Sequence, residues 1–569
     1  MLGIRCLLVA GLALAFAYGQ TAQAQPAEHQ DVKYWIFLKD KLDGAGKTTP
    51  VEAGFLTART LDRRARRGSI TTATTLDAPL SPVYLDELRR LGITPLVQSR
   101  WLNAVSARLD EQQHDAARKL PFVRELRPVA QLVPESLHEE EAAPAPLLPL
   151  AHPVTRLDYG QSRTQLDIVN AIPALERGIN GDSVRLGILD TEFGGFQHPS
   201  FAPLVNDGRL LADSNFVGVS QSNRHARSVA SIVVGFDEGQ LIGPAYGVEL
   251  IGATTEFAPT ETNQEEDNLV AALEWMESRM GVDVVNISLG YNEFDPGQNS
   301  YTQDDLDGDT GVTTIAADKA AELGVVVVTS AGNEGGTTNP WKLILTPADG
   351  DSVIAVGAVT SLGTRSGFSS QGPTADGRIK PDVAAMGSSV RRASTNTGYS
   401  NGNGTSFASP MVAGVACQML QVNPDLNPIE LLDLMRETAS LGKLGAGNEN
   451  NLLGWGIIDA DAAITRAEQL ITSTENETPI PDAFEIGSPY PNPFSDQTVF
   501  EIRAPANAGV ARLSVYNLLG QRVDVPFEGP LNPGVNQIVF RAAMLPAGLY
   551  LYTLEGDRVS HSGKVVVVR

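Results

Sequence analysis

Five short apolar runs recur between residues 184 and 360: VRLGILD, GVELIGATTE, GVDVVNISLG, GVVVVTSAGN and DSVIAVGAVT. Their apolar positions do not alternate with polar ones, so both faces of each strand are expected to be buried, as in a parallel sheet. Between them lie stretches of helical period, such as EEDNLVAALEWMESRM at 265–280 and TTIAADKAAEL at 313–323. This alternation predicts an α/β domain with a doubly wound, mostly parallel sheet over about 157–468. NPIELLDLM, starting at Asn427, carries a helix-start signature: Asn427 as cap, Pro428 in the first turn and Glu430 three residues on.

The pattern differs on either side of this region. Residues 25–133 mix short strands (KYWIFLKD, NAVSARLD) with charged helical stretches and predict a small α+β domain. Within it RRARR, Arg63 to Arg67, reads as a solvated helix face. Residues 134–156, rich in Pro, Ala and Glu, read as an exposed linker, and 469–482 as a second one. From 483 to 569 short alternating segments are split by Gly, Pro and Asn, which predicts an antiparallel β-sandwich.

A chain of 569 residues allows three or four domains at about 150 residues each. The net charge of −24 argues against a nucleic-acid partner. Residues 1–24 have the form of a secretory leader: Arg5, a short apolar run, then Ala22 and Ala24 bracketing a small-residue cleavage site. No other run is long enough to span a bilayer. Of the two cysteines, Cys6 leaves with the leader. Cys417 therefore has no disulfide partner and reads as a small buried hydrophobe.

The stretch GNGTSFASPMVAG, Gly402 to Gly414, places Ser406 among small residues just before a helical run. Pro410 fits the first turn of a helix that begins close to Ser406, which puts the hydroxyl near free N–H groups and the positive end of the dipole. A phosphate loop is excluded by the missing Lys, and the G-x-S-x-G elbow of other hydrolases by Ala408, which disfavours an esterase of that fold. A serine nucleophile needs a base. His198 and His225 are the histidines of this domain, and His225, at the start of an apolar helical run, is preferred. Asp190 ends an apolar strand, where a charge is expensive unless paired. Asn333 follows another strand with Gly332 beside it and can donate to an oxyanion. Ser288, Leu289 and Gly290 end a third strand and offer backbone for an extended peptide. Ligands of doubly wound sheets bind beyond the carboxyl ends of strands, where these residues fall.

GILDTEF, NRHARSVAS, VNISLG, VTSAGNEG and GTSFASP together resemble the subtilisin-like serine proteases over about 157–468. The resemblance implies a secreted endopeptidase. Ser406 would be the nucleophile, His225 the base and Asp190 its orienting partner. Asn333 and the Ser406 N–H would hold the oxyanion, and Ser288 to Gly290 would pair with substrate. The segment after the base, Ala226-Arg227-Ser228-Val229-Ala230-Ser231, departs from the usual Gly-Thr-His-Val-Ala-Gly, and Glu192 replaces a usual Gly. These departures motivate an alternative, a catalytically impaired surface binding protein of the same fold. Residues 25–133 resemble a subtilisin-type propeptide, which implies a chaperone and inhibitor acting in the same chain. YPNPFSDQTVFEI, SVYNLLGQRV and LPAGLYLYTL resemble a type 9 secretion sorting domain, implying passage through the periplasm to the cell surface or medium. The expected partners are peptide substrates, the propeptide and that secretion machinery, with the enzyme a monomer. No cofactor is required. A structural calcium ion is in keeping with the family, and Asp305, Asp307 and Asp309 of DDLDGDTG are weak candidate ligands that lack the twelfth-position Glu of an EF-hand.

Overall fold

The computed structural model describes residues 32–67, 72–128, 140–142, 156–194, 196–220, 224–256, 264–291, 301–336, 338–475 and most of 484–568. The leader read at 1–24 lies outside the described residues. Two compact units divide at Ile464/Thr465.

The larger unit is built on seven strands: β1 Arg185–Asp190, β2 Leu210–Asn215, β3 Glu249–Thr254, β4 Val284–Ile287, β5 Val326–Ser330, β6 Ile354–Val359 and β7 Val383–Met386. They lie in the order β7-β6-β5-β4-β1-β3-β2, and every pairing is parallel. Three of the runs read as two-sided strands are buried at every strand position, Val284–Ile287, Val326–Ser330 and Ile354–Val359, and so is Val383–Met386, a strand the sequence reading did not name. Helices His225–Val234 and Thr405–Val422 pack on this sheet. Helix Gln264–Trp275, extended by a π-turn through Met280, packs beside helix Val312–Glu322 in the cluster that holds Leu269, Leu273, Val285 and Val327. The strand order reverses direction at β1. The crevice of a doubly wound sheet opens at such a reversal, beyond the strands' carboxyl ends.

Residues 32–128 form a four-stranded antiparallel sheet, Val97–Ser99, Ala104–Leu109, Val32–Leu38 and Val123–Pro128 in spatial order, with helices Ala58–Arg67, Pro82–Arg90 and Glu111–Arg118. Its Trp35, Phe37, Trp101 and Leu102 share the apolar cluster of the Gln264–Trp275 helix. The RRARR segment is not a solvated face. Arg63, Arg64 and Arg67 are buried. Arg64 makes a two-pronged pair with Asp77 at 2.9 and 2.8 Å and also donates to Glu277 at 2.8 Å. Arg63 pairs with Glu277, and Arg67 with Asp283 at 3.1 Å. Lys33 and Asp267 form a fully buried pair at 2.5 Å. Burial would exclude these charged groups, but carboxylates meet them, Asp77 from the same domain and Asp267, Glu277 and Asp283 from the larger one, as buried charges require.

Two boundaries differ from the sequence reading. Within the segment read as an exposed linker, Glu140–Ala142 pairs antiparallel with Tyr399–Asn403, the strand leading to Ser406. The helix Ala460–Glu475 runs past 468 into the second linker. The smaller unit contains a three-stranded and a four-stranded antiparallel sheet over a core that includes Phe500, Leu513, Phe540, Leu554 and Val565.

Candidate active site

Asp190 is the last residue of β1 and is fully buried. Its Oδ1 accepts from the Thr191 backbone N–H at 2.7 Å and the Thr191 hydroxyl at 3.1 Å. His225 is the first residue of its helix, and its Nδ1 lies 2.8 and 3.0 Å from the two Asp190 oxygens. A buried carboxylate facing Nδ1 holds the proton there, so Nε2 is left as the acceptor of this ring. His198, the other candidate, is engaged elsewhere: Nδ1 lies 2.9 Å from the Ser200 hydroxyl and Nε2 3.1 Å from the Gly398 carbonyl. Burial lowers its pKa.

The unusual residues after His225 fit around this pair. The Ala226 N–H donates to the Thr191 hydroxyl at 3.2 Å. Arg227, buried, reaches the Gly194 carbonyl at 2.8 Å. Ser228 donates to the Arg224 and Ala393 carbonyls, both at 3.1 Å, and accepts from Arg392 at 3.0 Å. None of these contacts draws His225 away from Asp190.

Ser406 is the second residue of helix Thr405–Val422, and Phe407 stacks on the His225 ring with centroids 5.9 Å apart. Arg392 covers the Phe407 ring. The glycines before the serine are there for space. A Cβ on Gly402 would lie 2.4 Å from Arg392 Nε and 2.6 Å from Phe407 Cε2, and one on Gly404 only 2.8 Å from Ser406 Oγ. Pro410 lies deeper in the helix than the first turn in which the sequence reading placed it. Without an N–H it leaves the Ser406 carbonyl unpaired within the helix. The Ser288 hydroxyl donates to that carbonyl at 3.0 Å. Asn286 on β4 completes the link: its Nδ2 donates to Ser288 at 2.9 Å, and its Oδ1 accepts from the Ser409 hydroxyl at 2.6 Å. Sequence reasoning missed Asn286, Thr191 and Ser409. Asn286 lies inside a run quoted for its apolar residues, where a fully buried amide was itself the signal.

Asn333 lies beyond β5. Its Oδ1 accepts from the Thr405 backbone N–H at 2.9 Å and the Thr405 hydroxyl at 3.0 Å. Both partners are donors, so the amide orientation is fixed and the Nδ2 donors face the other way. Gly332, at φ +105°, could carry no side chain: a Cβ there would lie 2.7 Å from Leu345 Cγ. Gly290 is crowded by the same leucine at 2.8 Å. Leu289 is buried beside it. Around the carboxyl ends of β1, β4 and β5, hydrogen bonds thus join Asp190 to His225, Ser288 to the Ser406 carbonyl and Asn333 to Thr405, and the Phe407 ring stacked on His225 links the first pair to the helix that carries Ser406.

Asp305, Asp307 and Asp309 lie apart from this group. Asp305 accepts from the Thr302 N–H at 2.7 Å and hydroxyl at 2.8 Å. Asp307 accepts from the N–H groups of Asp309 and Thr310 at 2.9 and 2.8 Å and from the Thr310 hydroxyl at 3.0 Å. These oxygens close the loop on itself, and among the described residues no cluster of three or more His, Cys, Asp or Glu is arranged to hold a metal ion. Cys417 is buried, and burial raises its thiol pKa well above the usual range.

A parallel sheet with this cluster at its switch point defines a class, the serine peptidases of the subtilase family. The chain belongs to that family, and it is a serine endopeptidase. Residues 181–456 match the subtilase family, residues 33–143 the Bacteroidota peptidase S8 propeptide domain, and residues 488–568 the secretion system C-terminal sorting domain. Subtilisin DY of Bacillus licheniformis is 31% identical over 305 residues, which are 52% of this chain and 97% of that protein. Subtilisin E of Bacillus subtilis (strain 168) is 28% identical over 68% of this chain and 88% of its own. Serine protease AprX of the same strain is 28% identical over 50% of this chain and 67% of its own. The protein is a propeptide-bearing, secreted or cell-surface protease. Among the described residues no helix is long and apolar enough to cross a membrane.

Proposed function

We propose that this peptidase cuts peptide bonds by acyl transfer to Ser406. His225 Nε2 takes the hydroxyl proton as Ser406 attacks and returns it to the leaving amine. Asp190 holds the imidazole by Nδ1 and stabilises the imidazolium that forms. The Asn333 Nδ2 donors and the Ser406 N–H receive the oxyanion. The backbone at Ser288, Leu289 and Gly290 pairs with an extended substrate. The chemistry requires no cofactor, and we assign no metal to the Asp305–Asp309 loop.

The observation that carries this reading is the 2.8 Å contact between buried Asp190 and His225 Nδ1, with the Ser406 turn stacked on the same ring through Phe407. We further propose a precursor divided as leader 1–24, propeptide 25–133, connecting segment 134–156, peptidase 157–468, second connection 469–482 and sorting domain 483–569. In it the propeptide inhibits until it is cut away, and the sorting domain engages the type 9 secretion machinery. Replacing Ser406 with Ala is expected to leave the precursor uncut and inactive on casein. Normal self-processing of that variant would overturn the mechanism.

A further inference from the structure

Glu256 is a buried carboxylic acid for which the reaction above has no use. It lies two residues beyond the end of β3, whose last residue, Thr254, is in register with Asp190. The intervening Thr255 donates its N–H to the Asp190 carbonyl at 2.9 Å, and its own carbonyl accepts from Asn268 at 3.1 Å. Glu256 is therefore pinned beside the strand end that carries Asp190. On its other side Glu256 Oε1 accepts from the Tyr291 hydroxyl at 2.6 Å. Tyr291 directly follows Gly290, and its backbone is locked to Thr346 by N–H···O contacts of 3.0 and 3.2 Å. One carboxyl group thus joins the Asp190 strand to the edge of the substrate cleft.

We propose that Glu256 is a positioning residue for this peptidase: through Tyr291 it holds the Ser288–Gly290 edge in place, and through its charge it sets how firmly the Asp190–His225 pair keeps a proton. The inference rests on the roles assigned above to His225 and Ser288–Gly290. The groups facing Glu256 are Asp190 from β1, Tyr291 from beyond β4, and Glu265 and Glu266 from the Gln264–Trp275 helix. Burial pushes Glu256 up to about 7, and the charge of Asp190 adds to the rise while the Tyr291 hydrogen bond opposes it. Glu256 therefore ionises in the range where a histidine base loses its proton. An extra negative charge near the pair stabilises the imidazolium of His225. Removing that charge frees the base at lower pH.

The test uses the mature enzyme made from the full chain, with kcat and KM measured across pH on a long peptide and on a single-residue ester. Glu256→Gln keeps an acceptor for Tyr291 but carries no charge. The acid limb of its kcat/KM profile is expected to move to lower pH by about half a unit. Tyr291→Phe cuts the tether. It is expected to raise KM for the long peptide about threefold or more, leaving kcat and the ester nearly unchanged. Should Glu256→Gln not fold, Tyr291→Phe still decides the tether. A Glu256→Gln profile superimposed on the parent, or a Tyr291→Phe enzyme with unchanged peptide KM, overturns the proposal. Ser406→Ala is run alongside: if it is inactive, such failures fall on Glu256 alone, whereas activity without the Ser406 hydroxyl sinks the underlying mechanism.

Discussion

Glu277 offers a direct measure of how the propeptide is held. It lies in the π-turn Met276–Met280 of the peptidase and is fully buried. Two propeptide guanidinium groups, Arg63 and Arg64, converge on it, and Arg64 contacts both of its oxygens at 2.8 Å. Both arginines are themselves buried. Replacing Glu277 with Ala leaves Arg64 with Asp77 but strips Arg63 of its carboxylate in a place water does not reach. Breaking a buried pair on one side costs about 3–5 kcal/mol. At 1.4 kcal/mol per tenfold, the dissociation constant of the processed propeptide should rise by roughly two to three and a half orders of magnitude. The assay is inhibition of the mature enzyme by its cleaved propeptide, read from residual hydrolysis as the complex is diluted. A Glu277→Ala complex that inhibits within threefold of the parent would show that these pairs do not hold the propeptide.

Glu274 makes the same interface sensitive to pH. It accepts from the N–H groups of Arg100 and Trp101 at 3.1 and 3.3 Å, and burial pushes it up to about 7. A carboxylate raised in the complex contributes affinity that is fully present below its ordinary value and is lost as pH rises through about 7. Glu274→Gln should flatten that part of the affinity–pH curve, and an unchanged slope would reject the assignment. Asn333→Ala should lower kcat roughly a hundred- to a thousandfold with little change in KM, so a mainly KM effect in steady-state assays would place Asn333 outside the oxyanion site. Deleting 483–569 should retain active enzyme in the periplasm, and fractionation that finds it still outside the cell would reject the sorting role.

The parallel sheet was legible because strands buried on both faces are mostly apolar and do not alternate, as the runs ending at Asp190, Ile287 and Ser330 show. Cys417 and the tail strands were legible for similar reasons of burial and alternation. Contacts made at long range were not. Arg63, Arg64 and Arg67 look solvated in a charged stretch because Glu277 and Asp283, which neutralise them, lie more than two hundred residues away. The same distance hid the pairing of Glu140–Ala142 with Tyr399–Asn403. Pro410 was read as a first-turn residue because its consequence, an unpaired Ser406 carbonyl, is visible only once Ser288 is seen to supply the missing donor. Composition gives Asp305 to Asp309 the look of an ion loop, whereas Asp305 and Asp307 accept from nearby N–H and hydroxyl groups.

The most direct test of the account is the rate at which a serine-directed phosphonate modifies the mature enzyme, with the adduct located by peptide mass. The account predicts a single adduct on Ser406, formed at least a hundredfold more slowly in His225→Ala and Asp190→Asn, with about that factor set by general-base catalysis. An adduct on another residue, or the same rate on Ser406 without the imidazole, would contradict it.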